Sequence, residues 1–299
     1  MTSPIPPDDP AQIHTLGALL GEWMPYIQRF WGATIVIKYG GAAMTSRVLQ
    51  EGFARDVVLL QLVGMRPVVV HGGGPQVTAM MQRLGMDTRF VAGHRVTDDE
   101  TLEVAKMVLV GKVNKDLVGL IHRHGGTAIG LSGEDAQLLV TEPIDQRDEE
   151  GRAVDVGLVG QVAEVHTEAL ELLSGSIIPI VATIGADATG QTRNVNADIA
   201  AGALAAALKA EMLLLVTDVP GVLAPTEEGE SPLEECRLED LDAMEAAGAI
   251  RGGMLPKLAA VREALRAGVG SAHVVDGRQE HAVLLEVLTD AGCGTKVVA

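Results

Sequence analysis

Hydrophobic and polar positions along the chain alternate between two periods, which predicts strands and helices in turn. Short apolar runs, most of them ending in glycine, predict strands at 34–41, 66–74, 127–133, 176–185, 211–223, 271–278 and 294–299. Apolar residues at helical spacing predict helices at 45–64, 75–85, 99–125, 196–210, 238–248, 252–268 and 280–290. Strands that alternate with helices predict an α/β fold whose central, mainly parallel sheet is covered on both faces.

Three segments depart from this alternation. Residues 14–31 have helical spacing and carry both tryptophans, and Pro25 is expected to kink or divide that helix. Residues 136–165 predict a short antiparallel hairpin with an acidic tip at 145–150, and residues 225–235 predict an acidic loop. We interpret both acidic stretches as solvated surface.

The composition is that of a cytoplasmic globular protein. Apolar residues make up 47% of the 299 residues, and no apolar run reaches the roughly 18 residues of a membrane span. The first residues do not resemble a signal peptide, and Cys236 and Cys293 lack a C-x-x-C spacing, so both are interpreted as reduced. The formal net charge of −17 argues against nucleic-acid binding but not against an anionic substrate in a local basic pocket.

Glycines at two strand ends predict an anion site. YGG and HGGG leave backbone amides unobstructed, and Pro75 starts a helix whose N-terminus adds free amides. Lys38 precedes the first glycines on an otherwise apolar strand, and Lys257 follows GGM at a helix start, where it opposes the helix dipole. Each feature also has a simpler explanation, a tight turn for the glycines or a surface lysine for Lys257. His71, before the glycines, is interpreted as structural.

Two further motifs offer polar groups to such a site. Asn194, Asn196 and Asp198 precede an alanine-rich helix, and an N-cap explains one of them but not all three. A carboxylate between two lysines could hold both ammonium groups in place. The guanidinium of Arg95 is suited to bidentate binding of a carboxylate. A surface ion pair with a nearby acidic residue would also explain an arginine at this position.

Six segments, in this order, resemble the N-acetyl-L-glutamate kinases of the amino-acid kinase family: IVIKYGGAAM, VVVHGGGPQV, GHRVTDDETLEVAKMVLVGKVNKDLV, NVNADIAA, LLLVTDVPGVL and GGMLPKLAAV. The resemblance implies a three-layer αβα sandwich with an added N-terminal helix. It implies transfer of the ATP γ-phosphoryl group to the γ-carboxylate of N-acetyl-L-glutamate, the second step of arginine synthesis. It also implies an N-terminal arm at 1–31, a substrate-binding and dimerising lobe at 32–188, and a lobe for ATP and arginine at 189–299.

The resemblance implies a role for each matching residue. Catalysis would involve Lys38, Lys257, Asp198, Gly41 and Gly74. The amino-acid substrate would contact Gly73, Gly74, Arg95, Asn194 and Asn196. The nucleotide would contact Gly40, Gly41, Thr217, Asp218 and Lys257. Mg²⁺ would sit mainly on the ATP phosphates and keep its waters, so the protein itself would supply no metal site.

The chain also resembles the arginine-sensitive, ring-forming members of the family. In those members an N-terminal helix joins dimers into a hexamer, a trimer of dimers, and arginine binds between that helix and the C-terminal lobe. By position, Tyr26, His273, Glu286 and Gly292 would bind the L-arginine inhibitor. Some of these members bind a PII-type signalling protein, which makes such a protein a candidate partner. An ordinary arm packed on its own domain is the alternative for this helix.

One departure and two rival functions remain open. Glu134 stands where many members carry a lysine after LSG, which changes the local charge near the substrate pocket. The first rival is a kinase for a related carboxylate, such as an aminoadipate derivative or glutamate, because one methylene changes discrimination only modestly. The second is a non-catalytic arginine sensor on the same fold, against which the lysines and Asp198 argue. No strand is followed by G-x-G-x-x-G, which argues against a dehydrogenase.

Overall fold

The structure, a computed structural model, describes residues 10–91, 93–147, 151–173, 175–226, 229–250, 252–290 and 292–299. Its helices are α1 (Pro10–Phe30), α2 (Arg47–Leu62), α3 (Gly74–Arg83), α4 (Asp99–Lys106), α5 (Asn114–Arg123), α6 (Glu168–Leu173), α7 (Ala197–Ala207), α8 (Leu238–Ala246), α9 (Met254–Arg266) and α10 (Ala282–Leu288). Its strands are β1 (Thr34–Tyr39), β2 (Arg66–His71), β3 (Phe90–Val91), β4 (His94–Arg95), β5 (Ala128–Ser132), β6 (Leu139–Pro143), β7 (Val159–Val165), β8 (Ile178–Ala182), β9 (Ile184–Ala186), β10 (Thr192–Val195), β11 (Met212–Thr217), β12 (Leu223–Thr226), β13 (Gly229–Pro232), β14 (Glu235–Arg237), β15 (Ser271–Asp276) and β16 (Gly294–Val298).

An eight-stranded sheet forms the middle layer, in the order β14-β16-β15-β11-β1-β2-β8-β5. Its neighbouring strands are parallel except for β15 and β16, which are antiparallel. Side chains of β1 alternate between two cores, as the pleat requires: Ile35 and Ile37 pack on the side of α2, α5 and α10, and Val36 packs on the side of α7 and α9. A strand buried on both faces is nearly continuously apolar, which is why these runs show no polar alternation. The predicted α/β sandwich is confirmed.

The segment at 99–125 differs from the single helix that its periodicity predicts. Between α4 and α5 lies a π-helical stretch, Met107–Val113. A π turn closes i→i+5 instead of i→i+4 hydrogen bonds, and over seven residues the resulting change in apolar spacing is too small to be read from the sequence. Such insertions are frequent at functional sites.

The loop prediction for residues 225–235 is wrong. Strands β12 and β13 pair antiparallel there, and β14 joins β16 at the sheet edge. Edge strands pair through backbone groups and tolerate charged side chains, so an acidic composition does not exclude them. Residues 227–228 lie outside the described residues, as do 148–150 of the other acidic stretch.

Four short strands, β6, β7, β9 and β10, form a small closed barrel. Its β6–β7 pair is the antiparallel hairpin predicted within 136–165. Strand β10 pairs with β7 and β9, so it links the predicted lobe at 189–299 to the lobe at 32–188. Strands β1 and β11 join the same two segments inside the large sheet. The division into lobes remains a prediction.

Helix α1 continues through Pro25 without being divided. One face packs on the core of its own chain through Trp23, Tyr26, Ile27 and the buried Phe30. Leu20 and Met24 on the helix and Trp31 directly after its end form an exposed apolar stripe, with 70% of Trp31 accessible. Both interpretations of the N-terminal segment therefore have support, since the helix packs on its own chain and also presents an apolar stripe. In the described part of the chain, no helix combines the length and apolarity needed to cross a bilayer.

Candidate active site

The carboxyl ends of β1 and β2 and the N-terminus of α7 surround a cavity of about 260 Å³. Parallel strands place such ends at one edge of a sheet, where ligands bind in folds of this class. Every residue predicted for catalysis or for the amino-acid substrate, apart from Lys257, lines this cavity: Lys38, Gly41, Gly73, Gly74, Arg95, Asn194, Asn196 and Asp198. Gly40 lines it as well. We call it the acceptor cavity.

Asp198 lies between the two predicted lysines. Lys38 Nζ is 3.1 Å from Asp198 Oδ1, and Lys257 Nζ is 3.2 Å from Oδ2. The second contact is a hydrogen bond, whereas the first is an ion pair whose angle falls outside hydrogen-bonding geometry. The three side chains come from β1, the start of α7 and the first turn of α9. One carboxylate thus contacts both ammonium groups.

The charge state of Asp198 follows from its surroundings. Only 5% of the residue is exposed, and this burial alone would raise the pKa of its carboxyl. Attraction to Lys38 and Lys257 outweighs burial, so the pKa lies below its ordinary value. The cluster of Lys38, Asp198 and Lys257 therefore carries two positive charges and one negative charge. This excess of positive charge suits a polyanionic ligand.

The glycines allow close backbone approach at this site. Gly41 has φ +65°, and a Cβ there would lie 3.2 Å from the backbone nitrogen of Asp218 on the neighbouring strand end. A Cβ at Gly40 would lie 2.6 Å from Lys38 Nζ and would displace the ammonium group. Gly73 is the N-cap of α3, and a Cβ there would meet Leu109 Cδ2 at 2.6 Å. Backbone, rather than side chains, therefore forms this part of the cavity wall.

Arg95 makes neither of the surface ion pairs that its sequence neighbours offered. Its Nη2 donates to Gly74 O at 3.0 Å and to Thr78 Oγ1 at 2.7 Å, and its guanidinium stacks over Phe90. Asp98 instead caps α4 by accepting from the Thr101 amide. Burial lowers the pKa of Arg95, which nevertheless stays a cation at neutral pH. The cavity thus receives a buried cation tied to the N-terminus of α3.

Asn194 and Asn196 reach the same cavity in different ways. Asn194 lies on β10 of the small barrel. Asn196 is the N-cap of α7, and its Oδ1 accepts from the amides of Asp198 at 2.8 Å and Ile199 at 3.3 Å. The capping explanation therefore holds for Asn196, which also lines the cavity. Its cap fixes the first turn of the helix that carries Asp198.

A second cavity of about 680 Å³ lies on the other side of Lys257, and Asp218 is among its lining residues. Thr217, at the end of β11, is buried and donates to Asp218 Oδ1 at 3.2 Å. We call this second cavity the donor cavity, and its lining also includes Gly221 and Ile250. The Lys38–Asp198–Lys257 cluster therefore separates two ligand-sized spaces.

Three of the four residues predicted for arginine, His273, Glu286 and Gly292, lie together on β15, α10 and the turn after it. His273 Nδ1 donates to Glu286 Oε1 at 2.6 Å, and the Cys293 amide donates to Oε2 at 2.7 Å. Gly292 has φ +57°, and a Cβ there would lie 2.8 Å from Glu286 Oε2. A side-chain hydrogen bond with Asp290, first among several effects, raises the pKa of Tyr26 on α1. Both Glu286 oxygens are engaged, so a guanidinium would compete with His273.

Glu134 has specific partners beside the acceptor cavity. Its carboxylate pairs with Lys106 Nζ at 2.7 Å and accepts from Thr192 Oγ1 at 2.7 Å. Thr192 begins β10, two residues before Asn194, and Lys106 ends α4. The acidic residue thus links the barrel to α4.

Sequence reasoning missed two parts of the acceptor cavity. The π-helical stretch contributes Leu109, and the short β3–β4 hairpin contributes Phe90 and His94. A two-residue strand is too short to show a period, and the seven-residue π stretch is too short to be told from an α-helix by its apolar spacing. Only the glycine at 93, between the two strands, marks the turn.

Metal-binding side chains do not cluster in the described part of the chain. Within the described ranges, no group of three or more His, Cys, Asp and Glu side chains could hold a metal ion. Mg²⁺ commonly keeps several waters and binds phosphates with few protein ligands, so a magnesium ion carried by nucleotide phosphates would not require such a group.

Comparisons with known proteins agree with this geometry. The model of the Amino acid kinase family matches residues 33–276. The chain is 47% identical over 295 residues to a protein from Hydrogenovibrio crunogenus named acetylglutamate kinase, covering 97% of this chain and 98% of that one. It is 49% identical over 283 residues to a protein of the same name from Methylobacillus flagellatus, covering 94% and 95%.

Two solved structures share the fold at lower identity. An N-acetylglutamate synthase from Neisseria gonorrhoeae, complexed with coenzyme A and N-acetyl-glutamate, superposes with a TM-score of 0.82 at 23% identity over 94% of this chain. This chain spans 63% of the length of that synthase. A Giardia carbamate kinase superposes with a TM-score of 0.66 at 20% identity, covering 89% of this chain and 99% of that one.

Proposed function

Because the chain belongs to the amino acid kinase family, we propose that it transfers the γ-phosphoryl group of ATP to the γ-carboxylate of N-acetyl-L-glutamate. The product would be N-acetyl-L-glutamyl 5-phosphate, in the biosynthesis of arginine. Relatives named acetylglutamate kinase, 47–49% identical over nearly the whole chain, support this choice of acceptor.

The Lys38–Asp198–Lys257 cluster between two cavities carries the proposal for the reaction type. Phosphoryl transfer requires positioning and charge neutralisation more than covalent chemistry by the protein. Two ammonium groups between an acceptor cavity and a donor cavity provide both. An arginine sensor without catalysis would have no use for a buried carboxylate that fixes two lysines.

In this mechanism N-acetyl-L-glutamate occupies the acceptor cavity, with its α-carboxylate near Arg95 and Asn194. Its γ-carboxylate is already ionised at neutral pH, so no general base is needed. ATP occupies the donor cavity beyond Thr217 and Asp218. The γ-phosphoryl group then lies between Lys38 and Lys257, and the amides of Gly41, Gly73 and Gly74 donate to the oxygens on which charge accumulates. Mg²⁺, bound to the nucleotide phosphates, would neutralise additional phosphate charge.

A coupled ADP-release assay tests the acceptor. We expect N-acetyl-L-glutamate to be phosphorylated faster than glutamate or N-acetylaminoadipate at equal concentration. The acetyl group and the chain length decide this difference, and one methylene of chain length contributes about 10- to 200-fold. A higher kcat/KM for either competitor would replace the proposed acceptor.

Feedback inhibition by arginine is a further part of the proposal. Glu286 is mostly buried, which opposes ionisation, but the hydrogen bonds from His273 and the Cys293 amide lower the pKa of its carboxyl. An ionised, buried carboxylate is a suitable partner for a guanidinium. Helix α1 packs beside α10, which brings Tyr26 to this region. The exposed stripe of Leu20, Met24 and Trp31 supports ring formation through α1.

Replacing Leu20 and Met24 by glutamate should convert hexamers into dimers and weaken arginine inhibition, while activity without arginine is retained. These two side chains are exposed within the protomer, whereas removal of residues 1–31 would also delete the buried Phe30. Light scattering after gel filtration and an arginine titration measure both effects. Glu22→Gln, on the same helix, is the matched control. A double variant that stays hexameric and arginine-sensitive would contradict the proposal.

A further inference from the structure

Asn114 is a buried asparagine whose amide orientation is fixed by its neighbours. Its Nδ2 lies 2.8 Å from Ile180 O and 3.2 Å from Leu131 O, on strands β8 and β5. Carbonyl oxygens only accept hydrogen bonds, so this end of the side chain must be the NH₂ group. Gly130, which lacks a side chain, leaves room for the amide beside β5. Lys115 Nζ donates to the opposite end, Oδ1, at 3.1 Å.

This orientation determines the protonation of His71. The same Nδ2 lies 3.2 Å from His71 Nε2, and a group that only donates requires an unprotonated ring nitrogen there. The single proton of the neutral ring is therefore on Nδ1, which donates to Gly72 O at 2.8 Å. Burial lowers the pKa of the fully buried His71 to about 4, and the nearby charge of Lys115 acts in the same direction. The ring stays neutral at physiological pH.

The Gly72 carbonyl sets the direction of the next amide. Across a trans peptide the C=O of one residue and the N–H of the next point in opposite directions. With Gly72 O turned inward to His71, the Gly73 N–H points away from the core, and both glycines line the acceptor cavity. The Gly72 amide is also held, because it donates to Tyr39 O on β1 at 3.1 Å. Glycine peptides rotate easily, so an external restraint matters at this position.

We propose that His71 and Asn114 are positioning residues, which hold the Gly72–Gly73 peptide so that the Gly73 amide faces the reacting phosphoryl group. The inference rests on the proposed kinase function. Neither side chain touches the substrate. Asn114 acts through the ring of His71, and His71 acts through the carbonyl of Gly72.

Two variants of His71 separate positioning from packing. Asparagine can place an NH₂ group near the position of His71 Nδ1 and so keep a hydrogen-bond donor to Gly72 O. Leucine has a volume similar to that of histidine but has no donor. We expect His71→Leu to have a kcat about tenfold or more below that of His71→Asn, since a misdirected amide loses part of the 10²–10³ that one such donor contributes. The KM for ATP should differ by less than about twofold, because ATP lies in the other cavity. Equal kcat values for the two variants would overturn the proposal.

A double-mutant cycle tests whether Asn114 acts through His71. Asn114→Ala should lower kcat in the wild-type background but change it by less than about twofold in His71→Leu, because the link is already broken there. Independent, multiplicative losses would refute the coupling. The ring tautomer is measured separately by ¹⁵N NMR of histidine-labelled protein, with His71→Asn identifying the resonance. A proton on Nε2 would overturn the proposal even if the protein acts on another acceptor, and failure to phosphorylate any acceptor would refute only the kinase function.

Discussion

Lys257→Met should lower kcat by about 10²–10³-fold while the protein remains folded, a loss comparable to that of one oxyanion donor. The lysine belongs to the first turn of α9, and its ammonium group lies between the two cavities. Methionine keeps much of the apolar stem but not the charge that balances the migrating phosphoryl group. Because Lys257 does not line the acceptor cavity, the KM for the acceptor should change by less than about threefold, within the context dependence of one lost contact.

Steady-state kinetics with both substrates varied measures this effect. Lys209→Met is the matched control, since that lysine is exposed just beyond the far end of α7 from Asp198, and its turnover should equal that of the wild type. Near-normal turnover of Lys257→Met would remove the lysine from the reaction. A rise in acceptor KM without a fall in kcat would instead assign it to substrate binding.

Asp198→Asn should destabilise the protein by about 3–5 kcal/mol, the usual cost of removing one partner from a buried ion pair. The amide has nearly the same shape, but it leaves the ammonium groups of Lys38 and Lys257 close together without a counter-charge. The same substitution at Asp116, which pairs with Lys112 on the exposed surface, should cost less than about 1 kcal/mol. Urea unfolding curves of the two variants provide the comparison.

An added phosphate ligand distinguishes a charge effect from a packing effect in Asp198→Asn. ATP supplies the missing negative charge, so it should raise the thermal midpoint of the variant more than that of the wild type. An equal increase would indicate lost packing. The lowered pKa of Asp198 also contributes to the pH dependence of wild-type stability. Its contribution to stability is present above the unfolded carboxyl pKa of about 3.9 and is lost as the pH falls further, through the folded pKa.

The sequence predicted the large sheet and its cover of helices because buried parallel strands have an unmistakable composition. Val36 and Ile37 face different cores, so neither position could be polar. The sequence-based prediction failed where strands are held together by backbone pairing and show no apolar pattern. The hairpin of β12 and β13 lies in an acidic segment, and the β3–β4 hairpin has two residues a strand. The π-helical stretch was missed for a different reason, since seven residues are too few to show its longer period.

For the candidate site, the sequence located residues better than it explained them. Lys38 and Lys257 stood out because each charge lies in an apolar context, and both meet Asp198. The guanidinium of Arg95 was expected to bind a substrate carboxylate or to form a surface ion pair. In the structure it donates a hydrogen bond to the backbone carbonyl of Gly74. Such a bond depends on how α3 and the β3–β4 hairpin meet, which no local pattern specifies. His71 and Asn114 are 43 residues apart along the chain, and only the folded sheet brings them together.

The central position of β1 has a consequence for the order in which the protein acquires activity. Lys38 lies on β1, whose pairing with β11 joins Ile35 to Met212 across most of the chain. Pairings of such long sequence separation close late, because the loop entropy must be lost before the contact forms. In a nascent or partly refolded chain, the first strands and helices can form before this pairing does. Lys38 then does not yet contact Asp198, and the cluster with Lys257 is incomplete. Recovery of turnover during refolding is therefore a measure of complete assembly, and partly folded chains do not consume ATP by this chemistry.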